Sequence, residues 1–125
     1  MKYFEKYPGG PKDIEETFGI FSETMKKFVI PEISIPELKR IRNLFAVDLS
    51  SFVGEVRKAL FESENTDEIS AVESSLRKIK SDAVELATGK DNDPLECAVL
   101  NILHICVEKL AALLTYKKFQ IGLDH

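Results

Sequence analysis

The chain has 125 residues, of which 44% are hydrophobic and 30% are charged, and its formal net charge is −4 at pH 7. This length fits one compact domain, and the balance of apolar and charged residues excludes an intrinsically disordered chain. The acidic charge gives no general attraction to nucleic acid or to an anionic membrane, so an RNA-binding adaptor using Lys39, Arg40 and Arg42 ranks last among the functions considered.

The N-terminal half predicts a short tail and two helices. Residues 1–10 read as a flexible aromatic tail that ends at the turn sequence YPGG. A first helix is predicted from Pro11 to Phe28 or Val29. The second begins near Ser34, which has Glu37 in the capping-box position, and extends to about residue 62. The first helix carries an apolar stripe at three- and four-residue spacing: Ile14, Phe18, Phe21, Met25 and Phe28.

The C-terminal half predicts two longer helices. The linker SENT leads into a third helix from about Asp67 to Ala87, and Gly89 stands just beyond its end. The apolar stripe of this helix is Ile69, Val72, Leu76, Ile79, Ala83 and Leu86. The segment DNDPLE, with Asp93 as cap, starts a fourth helix at Pro94, which extends to about Phe119 or beyond. Four helices joined by short loops predict an all-α, up-down-up-down antiparallel four-helix bundle over residues 11–121, followed by a tail at 122–125.

The fourth helix is apolar over an unusually wide arc. Residues 97–114 read CAVLNILHICVEKLAALL, and the apolar arc spans roughly 240°, whereas an ordinary surface helix needs little more than ~100°. One explanation is that the helix is central in its own chain, covered by Tyr3, Phe4 and Tyr7. The other, which we favour, is that its outer flank contacts a second copy.

A strip of small residues on the second helix supports the second explanation. Ala46, Ser50 and Gly54 recur every four residues, which would allow a neighbouring backbone to approach closely. A solvated helix face would also explain them. The predicted homo-oligomer interface combines this strip with apolar residues of the fourth helix: Ala46, Ser50, Gly54, Leu103, Val107, Leu110 and Leu114.

The composition predicts a cytoplasmic protein with no membrane span. A window of ~20 residues centred on the apolar stretch includes Asn101, His104, Glu108 and Lys109, which are costly in a bilayer. No apolar signal-peptide core is visible at the N-terminus. The two cysteines, Cys97 and Cys106, project from opposite sides of one helix, so they cannot pair within it, and a reducing compartment is predicted.

A polar stripe on the fourth helix suggests the alternative function, which is metal binding. His104 and Glu108 stand four residues apart on one face, and imidazole plus carboxylate is a common half-site for zinc, iron or manganese. Asp48 and Glu55 of the second helix would complete the site. The ordinary interpretation is that all four residues form solvated or ion-paired edges.

No motif for nucleophilic, phosphate or cofactor chemistry is present, and no cofactor is predicted. Cys97 and His104 are seven residues apart, roughly 10 Å along the helix axis, which argues against a catalytic pair. The sequence therefore predicts a small structural or interaction protein, rather than an enzyme, that self-associates through its second and fourth helices. The alternative is a helical bundle that binds a divalent metal or small ligand around His104, possibly as an enzyme.

Overall fold

The computed structural model describes residues 2–29, 51–88 and 94–124. Over these ranges the protein is all-α, with four α-helices and no β-strand. The helices are α1 (Gly10–Val29), α2 (Phe52–Phe61), α3 (Thr66–Ala87) and α4 (Pro94–Asp124), preceded by a 3-10 helix at Lys2–Phe4. Helix contacts are consistent with a bundle, and α4 contacts the other three α-helices and the 3-10 helix.

The predicted helices agree with the observed ones over the described residues, except at Ser51. The starts and ends of α1 and α3 match to within one residue, and α4 continues five residues beyond Phe119. The predicted second helix is described only over residues 51–62, where Ser51 is a turn and the N-cap of α2, so the helix does not continue unbroken through this position as predicted. The predicted caps at Ser34, Gly89 and Asp93 lie outside the described residues.

The chain enters α1 through a turn that requires glycine. Gly9 has a φ of +88°, a conformation that residues with a Cβ rarely adopt. A Cβ at this position would also lie 2.7 Å from the Cβ of Asp13. The YPGG sequence therefore fixes the direction in which α1 leaves the N-terminal segment.

The N-terminal segment packs on α4 instead of standing apart as a tail. Phe4 is buried, and its ring stacks on Tyr116 with a centroid separation of 6.1 Å. The Tyr7 ring meets Tyr116 edge to face at 5.0 Å. Burying these aromatic rings is favourable because each removes a large apolar area from water. The N-terminal segment thus covers α4 around Tyr116, just beyond the apolar stretch at residues 97–114.

One core joins the helices, and the apolar periodicity predicted most of it. The described stripe residues of α1 are buried, as are Phe52, Val56, Ala59 and Leu60 of α2. On α4 the buried residues span an arc of about 160° at 100° per residue. They comprise Glu96, Val99, Leu100, Leu103, Cys106, Val107, Leu110, Ala111, Leu113, Leu114, Lys117 and Ile121.

Asn65→Ala is expected to lower the free energy of unfolding by about 1 kcal/mol. The Asn65 side chain accepts hydrogen bonds from the backbone N–H groups of Asp67 (2.9 Å) and Glu68 (3.1 Å), which have no partner inside the first turn of α3. Urea denaturation followed by circular dichroism measures the loss. Asn65→Asp is the control, because aspartate caps as well as asparagine and should leave the midpoint nearly unchanged. Equal losses in both variants would contradict the capping role.

Candidate functional site

The structure describes three of the four residues of the predicted metal site and brings two of these three together. His104 Nε2 lies 3.8 Å from Glu108 Oε2, while Lys80 Nζ lies 3.1 Å from Glu108 Oε1. Glu55 lines a separate groove between α2 and α3, and Asp48 lies outside the described residues. Within the described ranges, no three His, Cys, Asp or Glu side chains are placed to hold a metal ion. The metal site stays a prediction that depends on Asp48.

The residues of the predicted oligomer interface do not form one exposed surface among the described residues. Gly54 is exposed, and among the described residues a Cβ there would meet nothing within 4 Å, so packing against that part of the chain does not require glycine. Ala46 and Ser50 lie outside the described residues. The predicted interface residues of α4 are fully buried in the chain's own core: Leu103, Val107, Leu110 and Leu114. This corrects the position of the predicted surface, because buried side chains offer nothing to a second copy.

An exposed apolar stripe lies on the opposite side of α4, and we call it the outer stripe. Its larger members Ile105, Phe119 and Leu123 are 63%, 63% and 66% exposed. The complete stripe is Ala98, Ile102, Ile105, Ala112, Phe119 and Leu123. Four of these residues are spaced by seven, so they project in nearly the same direction, with a drift of ~20° per heptad.

The apolar surface continues from the outer stripe onto α1. Ile20 of α1 is exposed and lines a shallow groove together with Ile102. The exposed surface is therefore wider than a single row of side chains. Contiguous apolar surface of this kind is typical of an interaction site, whereas scattered exposed apolar residues are not.

The charged residues beside the outer stripe are held in ion pairs within the chain. Glu108, at one edge, pairs with Lys80 at 3.1 Å. Lys109, at the other edge, pairs with Asp13 of α1 at 2.7 Å. Because both charges already have partners of opposite sign, these edges favour an uncharged, apolar contact over a strongly charged one.

A buried carboxylate joins α3 to α4. Lys118 Nζ lies 2.6 Å from Glu73 Oε2, and the Thr115 hydroxyl donates to Glu73 Oε1 at 2.8 Å. Arg77 contacts the same Oε1 at 3.1 Å. Burial by itself raises the pKa of the Glu73 carboxyl, but the hydrogen bonds from these three side chains outweigh it and hold the pKa below its usual value.

A buried lysine joins α4 to the end of α2. Lys117 is only 3% exposed, and its Nζ donates to the backbone carbonyls of Ala59 (2.6 Å) and Leu60 (3.1 Å). These carbonyls belong to the last turn of α2, where the helix itself supplies no N–H donor. Burial lowers the pKa of the Lys117 amine, partly opposed by the nearby Glu64 carboxylate.

A small cavity of about 120 Å³ opens beside Lys117. The Tyr3 hydroxyl on its wall donates to Glu64 Oε1 at 2.8 Å, and Lys117 Nζ lies 5.9 Å from the centre of the Tyr3 ring. Its lining residues are Tyr3, Phe4, Leu60, Phe61, Glu62, Ser63, Glu64 and Lys117. The cavity thus combines one buried amine with a hydrogen-bonded phenol and carboxylate.

The two cysteines have different environments. Cys106 is buried, and burial raises the pKa of its thiol, partly opposed by Lys109. Cys97 is half-buried, and its thiol lies 3.8 Å from the carbonyl oxygen of Ala87. Neither geometry provides an activated nucleophile.

Sequence reasoning missed Lys117 and Glu73, although the spacing of Lys117 contained a signal. Lys117 follows the core residue Leu110 by seven positions and precedes the core residue Ile121 by four, which places it on the buried face. Glu73 follows Ile69 by four, at the edge of the α3 stripe, so its burial depends on the neighbouring helix. No sequence signal indicated the cavity.

The segment Glu96–Leu123 is long and apolar enough to cross a membrane by length and composition, with a mean hydropathy of 1.8. A core helix of a soluble protein meets the same criterion, and half of the most apolar 18-residue window is buried here.

No protein-family model, curated protein or solved structure matches the chain. We therefore argue its function from the geometry described above.

Proposed function

We propose that the protein is a small structural or interaction protein that self-associates through the outer stripe of α4. The observation that carries this proposal is the row of exposed apolar side chains on that helix, in which Ile105, Ala112 and Phe119 are spaced by seven residues. Burial against another apolar surface would remove these side chains from water, at roughly 25 cal/mol per Å² of apolar area. An extended contact between two helices is the simplest way to cover them.

The pattern of the stripe favours a second copy as the occupant. Ile105 and Phe119 stand seven residues on either side of Ala112. A two-fold axis at Ala112, with the two α4 helices antiparallel, would place each Ile105 opposite Phe119 of the other copy and bring the small alanines together. Such self-complementarity is what a symmetric dimer interface requires. On the same axis Ile102 would face Gly122 of the other copy and Leu123 would face Asn101, so Ile102 and Leu123 would lie one position out of register near the ends.

The surrounding charges support the same occupant. A copy of this surface brings an apolar stripe whose edge charges, Glu108 and Lys109, are paired within its own chain. Neither of these two charges would be left without a partner at such an interface, so their desolvation penalty would be small. A strongly charged partner would gain little from these two edges, since both charges are already compensated.

We also propose the helix order and the cellular location that the sequence predicts. The short connection between α2 and α3, residues 62–65, supports an antiparallel order for this pair, and we extend that order to an up-down-up-down bundle. A cytoplasmic location agrees with two free cysteines in the described residues.

Ile105→Asp is expected to convert the assembly into a monomer. Light scattering on a sizing column, over a hundredfold range of concentration, should give at least twice the chain mass of 14.1 kDa for the unmodified protein and 14.1 kDa for the variant. Burying the new carboxylate in an apolar interface without a partner is too costly for association to persist.

Val84→Asp is the matched control, since Val84 is an exposed apolar residue of α3 outside the outer stripe, with 41% exposure. This variant should keep the mass of the unmodified protein. Circular dichroism should show the same helix content in all three proteins. An unmodified protein that remains monomeric at every concentration would refute self-association, and binding to lipid vesicles by that monomer would assign the stripe to a membrane surface instead.

A further inference from the structure

We propose that Lys117 forms an imine with a small uncharged aldehyde that enters the cavity formed by the N-terminal segment and the end of α2. The proposal is independent of self-association, because Lys117 lies on the buried face of α4, opposite the outer stripe. Three features carry it: the geometry of the amine, the size of the cavity and the charges on its wall.

The hydrogen bonds of Lys117 orient its amine. A neutral amine has two N–H groups and one lone pair, and Lys117 Nζ has two carbonyl acceptors, on Ala59 and Leu60. When both N–H groups are used in this way, the lone pair is left for a molecule in the adjoining cavity. Burial favours this neutral form, which is the nucleophilic one.

The cavity limits the size of the ligand. Its volume of about 120 Å³ is below the ~150 Å³ of an apolar cavity known to hold benzene. At ~30 Å³ for each water-sized group, it holds roughly three to five non-hydrogen atoms. Short aliphatic aldehydes fit this space, whereas an aromatic aldehyde with two fused rings does not.

The wall charges select an uncharged ligand. Glu62 and Glu64 line the cavity and repel carboxylates and phosphates when the amine is neutral. The amine in its protonated form repels cations. An aldehyde with no charged group avoids both penalties and presents an electrophilic carbon to the amine.

The chemical step is balanced by the residues present. Lys117 Nζ attacks the carbonyl carbon, and a proton moves from nitrogen to oxygen to give a carbinolamine. The Tyr3 hydroxyl, hydrogen-bonded to Glu64, protonates the departing hydroxyl group, which leaves as water. Loss of the remaining N–H proton returns the proton to the Tyr3–Glu64 pair, so amine plus aldehyde give imine plus water.

Reductive labelling tests the proposal. The folded protein is treated briefly at pH 7 with acetaldehyde and cyanoborohydride, and the ethylated lysines are located by peptide fragmentation in the mass spectrometer. Lys117 should be labelled faster than its neighbour Lys118, because burial lowers the pKa of the Lys117 amine and so raises its neutral fraction. Lys118 is the internal control, since it is the more exposed of the two and pairs with Glu73.

Two comparisons test whether fast labelling of Lys117 reflects the cavity, and not simply how accessible each lysine is to solvent. Naphthaldehyde, which is too large for the cavity, should label Lys118 faster than Lys117. In the denatured protein both lysines should react at similar rates with acetaldehyde. Faster acetaldehyde labelling of Lys118 in the folded protein would overturn the proposal, as would naphthaldehyde labelling Lys117 as fast as acetaldehyde does.

A conservative variant tests the proton donor. Tyr3→Phe keeps the ring that packs beside Lys117 and removes only the hydroxyl. The labelling rate of Lys117 should fall about a hundredfold, the lower end of the range for general acid catalysis, while that of Lys118 stays the same. An unchanged rate at Lys117 would show that Tyr3 does not supply the proton and would overturn this step.

Discussion

Leu110→Ala is expected to lower the free energy of unfolding by about 3 to 5 kcal/mol, the largest loss among the variants considered. Leu110 is fully buried in the core that α4 shares with the other helices. Truncation removes apolar atoms from the core and leaves a cavity that the surrounding side chains fill only in part. Urea denaturation at a concentration low enough to keep the protein monomeric measures the effect.

Ile105→Ala is the matched control for Leu110→Ala. The two residues lie on the same helix, but Ile105 belongs to the outer stripe and is mostly exposed. At low concentration its truncation should change the free energy of unfolding by no more than about 0.5 kcal/mol. A small loss of stability in the Leu110 variant, together with a large loss in the Ile105 variant, would show that the buried and exposed faces of α4 have been assigned the wrong way round.

Glu73→Gln is expected to lower the free energy of unfolding by about 2 to 3 kcal/mol at pH 7. The amide keeps the size of the side chain but removes the negative charge that Lys118 and Arg77 contact. The loss should be smaller than for a fully buried ion pair, because both cations retain access to water. Glu85→Gln, at an exposed position of the same helix, should change stability by less than about 0.5 kcal/mol.

The effect of Glu73 should depend on pH in a defined direction. Its pKa is lower in the folded protein than in the unfolded chain, where a glutamate has a pKa of about 4.3. The stabilisation is therefore fully present above that value and is lost as the pH falls through the lower, folded pKa. The difference between the unmodified protein and Glu73→Gln should be constant from pH 6 to 8 and shrink below about pH 4.3. A difference that grows on acidification would contradict the assignment.

Apolar periodicity predicted the buried stripes of α1 and α3 because each of these helices has one apolar face and one charged face. Ile14, Phe21 and Met25 of α1 are all buried, as their spacing indicates. On α4 the same periodicity did not separate a buried face from an exposed one, because apolar residues extend around both sides of the helix. The periodicity could not distinguish the buried Leu110 from the exposed Ile105.

Polar residues were harder to place than apolar ones. Lys117 and Glu73 look like ordinary surface charges in the sequence, since both residue types are rarely buried without partners. Their partners are the Ala59 and Leu60 carbonyls and the Lys118 amine. The partners of Lys117 lie 57 and 58 positions away along the chain, and only the folded structure could identify them.

The residues alone were enough to predict an all-α fold over the described ranges, both ends of α1 and α3, and most of the buried side chains of these two helices. These features follow from capping residues, turn residues and apolar spacing, all of which act over a few neighbouring positions. The folded structure was needed to identify the exposed flank of α4 and to place Lys117 at the end of α2 beside a cavity. Those features depend on which helices meet, and contacts between distant segments are set by packing of the whole chain, which local spacing does not encode.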